Sequence, residues 1–275
     1  MKLITSSPSL ALLLAALACP VGAATVAVNF GGTSFTAENI GAGENTATLD
    51  TVAGLDTPVW TNLDKDNNGS GILVTDGSNG FTVTYHRANG WSGGSQELTG
   101  SDASQQVFRG YLDDGDGGGS YANGDGYGVT LQLSGLSSYL SSVGASSYTL
   151  TVFLNTDQGE ADAGLLDFEL RQGLLSGGNI ADLSLLQTVT PIVLGDGSEP
   201  TGVVGGIGGT GGVRGYATLS GLTENEITLA FAVNNGAHQR GSVSGFAITP
   251  VAVPEAASSL LGVFGSLLLL RRRRA

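Results

Sequence analysis

YTLTVFL, residues 148–154, and ITLAFAV, residues 227–233, are the most continuously apolar stretches between the two ends of this chain. Each is seven residues of mostly β-branched, aromatic and aliphatic type, shorter than the ten to twelve that a packed helix needs and bounded by Ser, Asn and Gly, so each reads as a buried strand. Being apolar on both faces, they are expected at the centres of sheets. Working outward, TVAVNF (residues 25–30) alternates as a first strand. GILVT (71–75) and FTVTY (81–85) flank Asn79-Gly80, a turn signal that predicts a hairpin. Further strands are expected over residues 106–112, 127–133, 165–171, 213–219 and 243–249, the last ending by Pro250. Residues 136–143 and 180–186 are the candidates for short helical turns. Ten or so strands with no long helix between them predict an all-β fold: a single β-sandwich or jelly-roll-like domain over residues 25–250, with glycine-rich loops.

The composition agrees with a turn-rich build. Glycine occurs 45 times in 275 residues, well above a usual share of about 7%. The glycine-rich stretch 195–212, GDGSEPTGVVGGIGGTGG, reads either as a long loop or as a glycine-rich edge strand. No internal repeat of fixed period is present.

Both ends carry the marks of addresses. Lys2, a leucine- and alanine-rich run over residues 10–18, and the small residues Gly22, Ala23 and Ala24 form the charged, apolar and cleavage regions of a signal peptide, residues 1–24. Cys19 is the only cysteine and lies in that segment, so no disulfide is expected in the core. A lipoprotein site is disfavoured by Ala16 before the cysteine and Pro20 after it. At the other end, residues 251–275 hold Val253-Pro254-Glu255, an uncharged apolar run over 256–270, and Arg271, Arg272, Arg273 and Arg274. As a helix the run spans roughly 22 Å, short of the roughly 30 Å hydrocarbon core, and the arginines favour the cytoplasmic side. Such a tail suits transient membrane insertion.

This order of motif, apolar helix and arginine cluster resembles the PEP-CTERM sorting signal of bacterial surface proteins. The resemblance covers about 23 of the 275 residues. Ala256 stands where that family has a second proline, which makes the motif a variant. The resemblance implies an exosortase as processing partner, cleavage near Pro254 and Glu255, delivery to the cell surface or extracellular matrix, and association with exopolysaccharide. A single-span tail anchor is the competing reading. Without the two targeting segments, six basic and 23 acidic residues remain, a net charge of −17. That excludes nucleic acid and anionic lipid surfaces as natural partners.

Candidate chemistry is sparse. Asp64, Asp66 and Asn68, followed by Gly69, match the opening of a calcium loop, in which oxygens on alternate residues converge on one cation. Thr75 stands where an EF-hand has its bidentate glutamate, so an EF-hand is excluded, while a surface Ca²⁺ site and a plain solvated turn both stay open. Asp114 and Asp116, in the acidic loop 113–128, are further candidate Ca²⁺ ligands, because crowded carboxylates repel one another unless a cation or proton intervenes. Trp91 sits among loop residues and is the leading candidate for stacking on a sugar ring, with Trp60, Tyr85, Tyr111, Tyr121 and Tyr127 behind it. His86 and His238 share no metal-ligand or triad spacing and read as surface residues. The G-x-G-x-x-G match at residues 206–211 lacks a strand-then-helix context. GSVSG at 241–245 lacks the serine of a nucleophile elbow. No catalytic residue is expected. The functional expectation is a secreted, non-enzymatic surface or matrix protein. The alternative is a carbohydrate-binding jelly roll, with Ca²⁺ as its possible cofactor and extracellular polysaccharide as its partner.

Overall fold

The computed structural model describes residues 24–31, 55, 58–87, 89–92, 107–108, 110–113, 127–155, 164–177, 179–194, 214–232 and 239–252. In chain order the strands are β1 (Val26–Gly31), β2 (Val59–Asp64), β3 (Gly69–Thr75), β4 (Gly80–Arg87), β5 (Asn89–Ser92), β6 (Gly110–Asp113) and β7 (Tyr127–Ser134). The helix α1 (Leu136–Ser142) follows, then β8 (Ala145–Asn155), β9 (Gly164–Leu165), β10 (Phe168–Gln172), β11 (Ser184–Val189) and β12 (Ile192–Leu194). The chain continues with β13 (Arg214–Leu222), β14 (Glu226–Ala232), β15 (Gln239–Arg240) and β16 (Gly245–Ala252). Among the described residues the fold is all-β with one short α-helix.

Two six-stranded sheets carry the structure, ordered β12-β13-β8-β16-β1-β2 and β11-β10-β14-β7-β4-β3. The two most continuously apolar stretches, residues 148–154 and 227–233, fall on β8 and β14. Each lies third from the edge of its sheet, as their two-faced apolarity requires. Alternation does the rest: Val26, Val28 and Phe30 of β1 and Leu150, Val152 and Leu154 of β8 enter one hydrophobic cluster with Val129, Leu131 and Leu133 of β7 and Ile227, Leu229 and Phe231 of β14. Fully burying one such side chain contributes about 1.5–3 kcal/mol. Through this core runs a chain of rings, Tyr139–Phe81–Phe246–Phe30–Tyr85, with centroid separations of 5.6, 6.3, 6.5 and 5.1 Å.

The sheets have two dissimilar ends. At one, strands are joined by short, hydrogen-bonded connections: Asp76–Asn79 between β3 and β4, α1 between β7 and β8, and residues 223–225 between β13 and β14. At the other end β2 passes to β3 through residues 65–68, and β4, β8 and β14 finish while β7 and β13 begin. The chain ends of the described domain meet at the first, short-turn end. Val26 pairs with Ile248 there, and the Thr25 and Thr249 hydroxyls lie 2.9 Å apart.

Several expectations are corrected. The hairpin forms, but its left-handed residue is Gly77, with φ 102°; Gly80 is already in β4, where a Cβ would meet the Val74 carbonyl oxygen. The strand expected over 106–112 starts only at Gly110. Val107 and Phe108 form a helical turn instead, because Phe108 packs edge-on against Phe153, with centroids 6.1 Å apart. The stretch 165–171 is split into β9 and β10, and the helical turn expected over 180–186 covers only Ile180–Asp182, closed by an Asn179/Asp182 capping box. β16 runs on to Ala252, since Pro250 lies beyond its last pairing with β1 and removes no bond from that ladder. The strand β2, missed in the sequence, pairs parallel to β1. Residues 1–23 and 253–275, and the glycine-rich stretch 195–212, lie outside the described residues. Among the described residues no helix is long and apolar enough to cross a membrane.

Candidate functional site

The loop-bearing end gathers most of the residues that the sequence singles out. Asp64 closes β2, and its carboxylate folds back over its own loop: Oδ1 accepts the Asp66 N–H at 2.9 Å and Oδ2 accepts the Asn67 side-chain amide at 2.7 Å. Asn68 Oδ1 accepts the Arg87 N–H at 3.1 Å, and the Arg87 guanidinium donates to the Asp66 carbonyl. The Tyr85 hydroxyl donates to the Asp64 carbonyl at 2.6 Å, and the Tyr85 ring occupies the space that a side chain at Gly69 would need. Burial, assisted by the Asp64 charge against a smaller opposing effect of Arg87, pushes the Tyr85 phenol up to about 12. It therefore stays protonated and donating.

Beneath the loop lies a buried polar layer. Lys65 is 1% exposed; its Nζ is 3.5 Å from Asp66 Oδ1, and its aliphatic stem lies against Gly110. Gly110 is required there, since a Cβ would run into the Phe30 carbonyl oxygen and approach Lys65 Cδ at 3.2 Å. Asp113 is 6% exposed, with the Ser242 hydroxyl donating to its Oδ1 at 3.5 Å. Residues 242–244 lace the strands together: Leu112 and Val243 exchange backbone bonds of 2.8 and 3.1 Å, Phe30 N donates to Ser244 O, and Ser244 N donates to Phe153 O.

The candidate ligands thus fare differently. Asp64, Asp66 and Asn68 share one tight loop, but both Asp64 oxygens and the Asn68 side-chain oxygen accept donors of the protein itself. Among the described residues no group of three His, Cys, Asp or Glu is arranged to hold a metal. Asp114, Asp116, Tyr121 and His238 lie outside the described residues, as do Val253, Pro254, Glu255, Arg271, Arg272, Arg273 and Arg274. Trp91 is on β5, in register with Tyr111 of β6. Tyr85 and Tyr111, expected as possible sugar contacts, are 2% and 1% exposed and belong to the interior. Trp60 is partly buried, its ring 6.2 Å from that of Phe153.

The outer face of the second sheet holds a polar group that the sequence reading did not assemble. Arg171 Nε donates to Glu169 Oε2 at 2.6 Å and its Nη1 to the Leu183 carbonyl at 2.6 Å. Tyr127 hydrogen-bonds to Glu169, and burial first, then Glu169, pushes its phenol up to about 12. For Glu169 burial acts to raise the pKa, but the bonds from Tyr127 and Arg171 outweigh it and hold the carboxyl below its ordinary value. His86 lies on the same row of strands through Thr130 and Ala230, and burial, with Arg87 nearby, lowers its pKa. The i, i+2 spacing of Glu169 and Arg171 was the available signal, since alternate residues of a strand share a face. Tyr127 joins them only through tertiary pairing.

No family model, no curated protein and no solved structure matches this chain. What the fold and site define by themselves is an all-β domain of two six-stranded sheets with a polar, loop-bearing end.

Proposed function

We propose that the chain is a secreted bacterial surface or extracellular-matrix protein: a β-sandwich of jelly-roll-like build, non-enzymatic and associated with exopolysaccharide. On this reading it is exported by residues 1–24 and processed by an exosortase at the Val253-Pro254-Glu255 motif. The observation that carries the reading is where the domain meets its addresses. β1 begins at Val26, just after the expected signal cleavage, and β16 ends at Ala252, one residue before the motif. Both junctions lie at the short-turn end, so a domain held through its C-terminus turns its loop-bearing end outward. The net charge of −17 keeps such a domain soluble in an external, hydrated layer. Mass spectrometry of the protein recovered from its host tests the reading. The expected mature chain starts near Ala24 and lacks Arg271–Arg274; retention of the four arginines overturns exosortase processing.

A carbohydrate-binding module is the second reading, favoured by the position of Trp91 on β5, in the half of the molecule remote from both junctions. Titration with neutral and acidic polysaccharides, with and without calcium, separates the two. Saturable binding lost in Trp91→Ala supports the module, and absence of binding in a folded sample leaves the structural reading alone.

A further inference from the structure

We propose that the Asn79-Gly80 step is a modification site at which the folded protein converts its own asparagine to aspartate and isoaspartate. The Gly80 main-chain nitrogen loses its proton to water and attacks Asn79 Cγ; the N–Cγ bond forms, the Cγ–Nδ2 bond breaks, and the side-chain nitrogen leaves as ammonia. A five-membered succinimide results. Water then opens either ring carbonyl, which leaves aspartate or an isoaspartate whose main chain runs through the side-chain carbon. Glycine favours the attack because it has no Cβ to crowd the nitrogen.

Five Asn-Gly steps occur in the chain, and the described residues fix the surroundings of two, Asn68-Gly69 and Asn79-Gly80. They differ at each atom the reaction uses. Asp76 N donates to Asn79 O at 2.9 Å, so these two residues form a hydrogen-bonded pair, and Thr75–Gly80, the next pair of the antiparallel ladder, is a non-hydrogen-bonded one. Pairing of β4 with β7 starts only at Thr82. The Gly80 N–H therefore belongs to neither ladder. The oxygen of the same peptide group, Asn79 O, accepts two donors, Asp76 N and the Thr75 hydroxyl, the latter at 2.8 Å. Both draw charge onto that oxygen and so steady the deprotonated amide, which is the nucleophile. Among the described residues no partner holds the Asn79 side chain. Gly80 is itself imposed by the fold, since a Cβ there would meet the Val74 carbonyl oxygen.

Asn68 is the opposite case. Its Oδ1 accepts the Arg87 N–H at 3.1 Å, which holds the side chain to β4. Gly69 lies opposite Tyr85, and counting by twos along β4 from Asn79 through Phe81 and Val83 makes that a hydrogen-bonded pair, so the Gly69 nitrogen is committed to its ladder. At Asn79 either product places a new carboxylate in the turn where Asp76 Oδ1 already accepts the Ser78 and Asn79 N–H groups, and like charges repel there. Isoaspartate also adds one main-chain atom at the first step of β4, which disturbs the register of Thr75 with Gly80. The mark thus accumulates with age at the short-turn end and leaves the Asp64 loop unaltered.

Ageing the protein recovered from its host in mildly alkaline buffer, with peptide mapping that separates aspartate from isoaspartate, tests this. The folded protein is expected to convert Asn79 about tenfold faster than Asn68 or more, and unfolding in urea is expected to bring the two steps to similar rates, since only local sequence then differs. Thr75→Val removes one donor from Asn79 O and is expected to slow conversion at Asn79 several-fold, whereas a hydroxyl that merely braced the turn would speed it when removed. The comparison with urea stands even if Thr75→Val does not fold. Equal rates at the two steps in the folded protein, faster conversion at Asn68, an Asn79 that stays intact while the unfolded chain converts, or an unchanged or faster rate at Asn79 in folded Thr75→Val overturns the proposal.

Discussion

The two ends of this domain solve the same problem with different materials. Both must finish the chain of buried aromatic rings that runs between the sheets, and both do so with a tyrosine whose hydroxyl donates to a backbone carbonyl. At the short-turn end it is Tyr139 of α1, reaching Ala24 O at 3.2 Å. At the loop end it is Tyr85 of β4, reaching Asp64 O at 2.6 Å. Around Tyr139 the β3–β4 turn is closed by local bonds, Asp76 Oδ1 accepting the Ser78 and Asn79 N–H groups, while Asn225, from the turn between β13 and β14, accepts the first N–H groups of α1 on its backbone and side-chain oxygens. Around Tyr85 the connections are long, and the order that exists comes from distant residues: Arg87 on Asp66, Ser242 near Asp113, and Lys65 across Gly110. Local closure needs only a few residues of the right kind. Closure from a distance needs the whole fold in place.

The two ends are perturbed most when the chain of rings is cut in the middle. Phe246→Ala, which removes a fully buried ring from between Phe81 and Phe30, is expected to cost about 3–5 kcal/mol in urea unfolding and to loosen both ends together. Loss confined to one end would show that the ends are independent. Removing single hydroxyls sharpens it: Tyr85→Phe is expected to cost about 1–2 kcal/mol and Tyr139→Phe about half as much, because the Tyr85 bond is shorter and the Asp64 carbonyl is left without this donor. Equal costs would contradict the assignment.

Arg87→Ala is a smaller change, expected at about 1 kcal/mol. Hydrogen exchange should then quicken at the Asp66 and Arg87 amides while the Ser78 and Asn79 amides stay unchanged. The mildest probe is acid. His86 has a lowered folded pKa, so the unfolded chain takes up the proton first, and stability declines as pH falls below about 6.5. Glu169, also lowered, contributes stability that is full above about 4.3 and is lost as pH falls through its folded value. The Glu169 side chain is 23% exposed and its ion pair still meets solvent, so the second loss should stay at about 1 kcal/mol. His86→Gln should flatten the first decline and Glu169→Gln the second, each followed by unfolding midpoint against pH.

Much of the sheet framework was legible because it rests on a period of two and on punctuation. β1, β7, β8 and β14 announce themselves by apolar residues on one or both faces, α1 by the spacing of Leu136, Tyr139 and Leu140, and the β3–β4 hairpin by its polar turn. β2 was not legible: VWTNLD is half exposed and holds its place through parallel pairing with β1, a partner more than thirty residues away. Nor was the site. Tyr85 and Tyr111 looked like surface aromatics beside polar neighbours, yet strand alternation turned both inward. The Asp64 loop reads as a candidate cation site because its oxygens stand at the right intervals; that Tyr85 and Arg87 arrive from β4 to engage its backbone is not legible in that spacing.

The sequence by itself determined the all-β class, the central strands and the acidic charge, since periodicity, turn chemistry and net charge are local or additive properties. Only the tertiary structure decided which edges lie outermost, which polar groups are buried at the loop end and that both chain ends leave from the opposite one. Those facts depend on pairing between segments far apart in sequence, and their cost and reward are settled only when the sheets close on a common core.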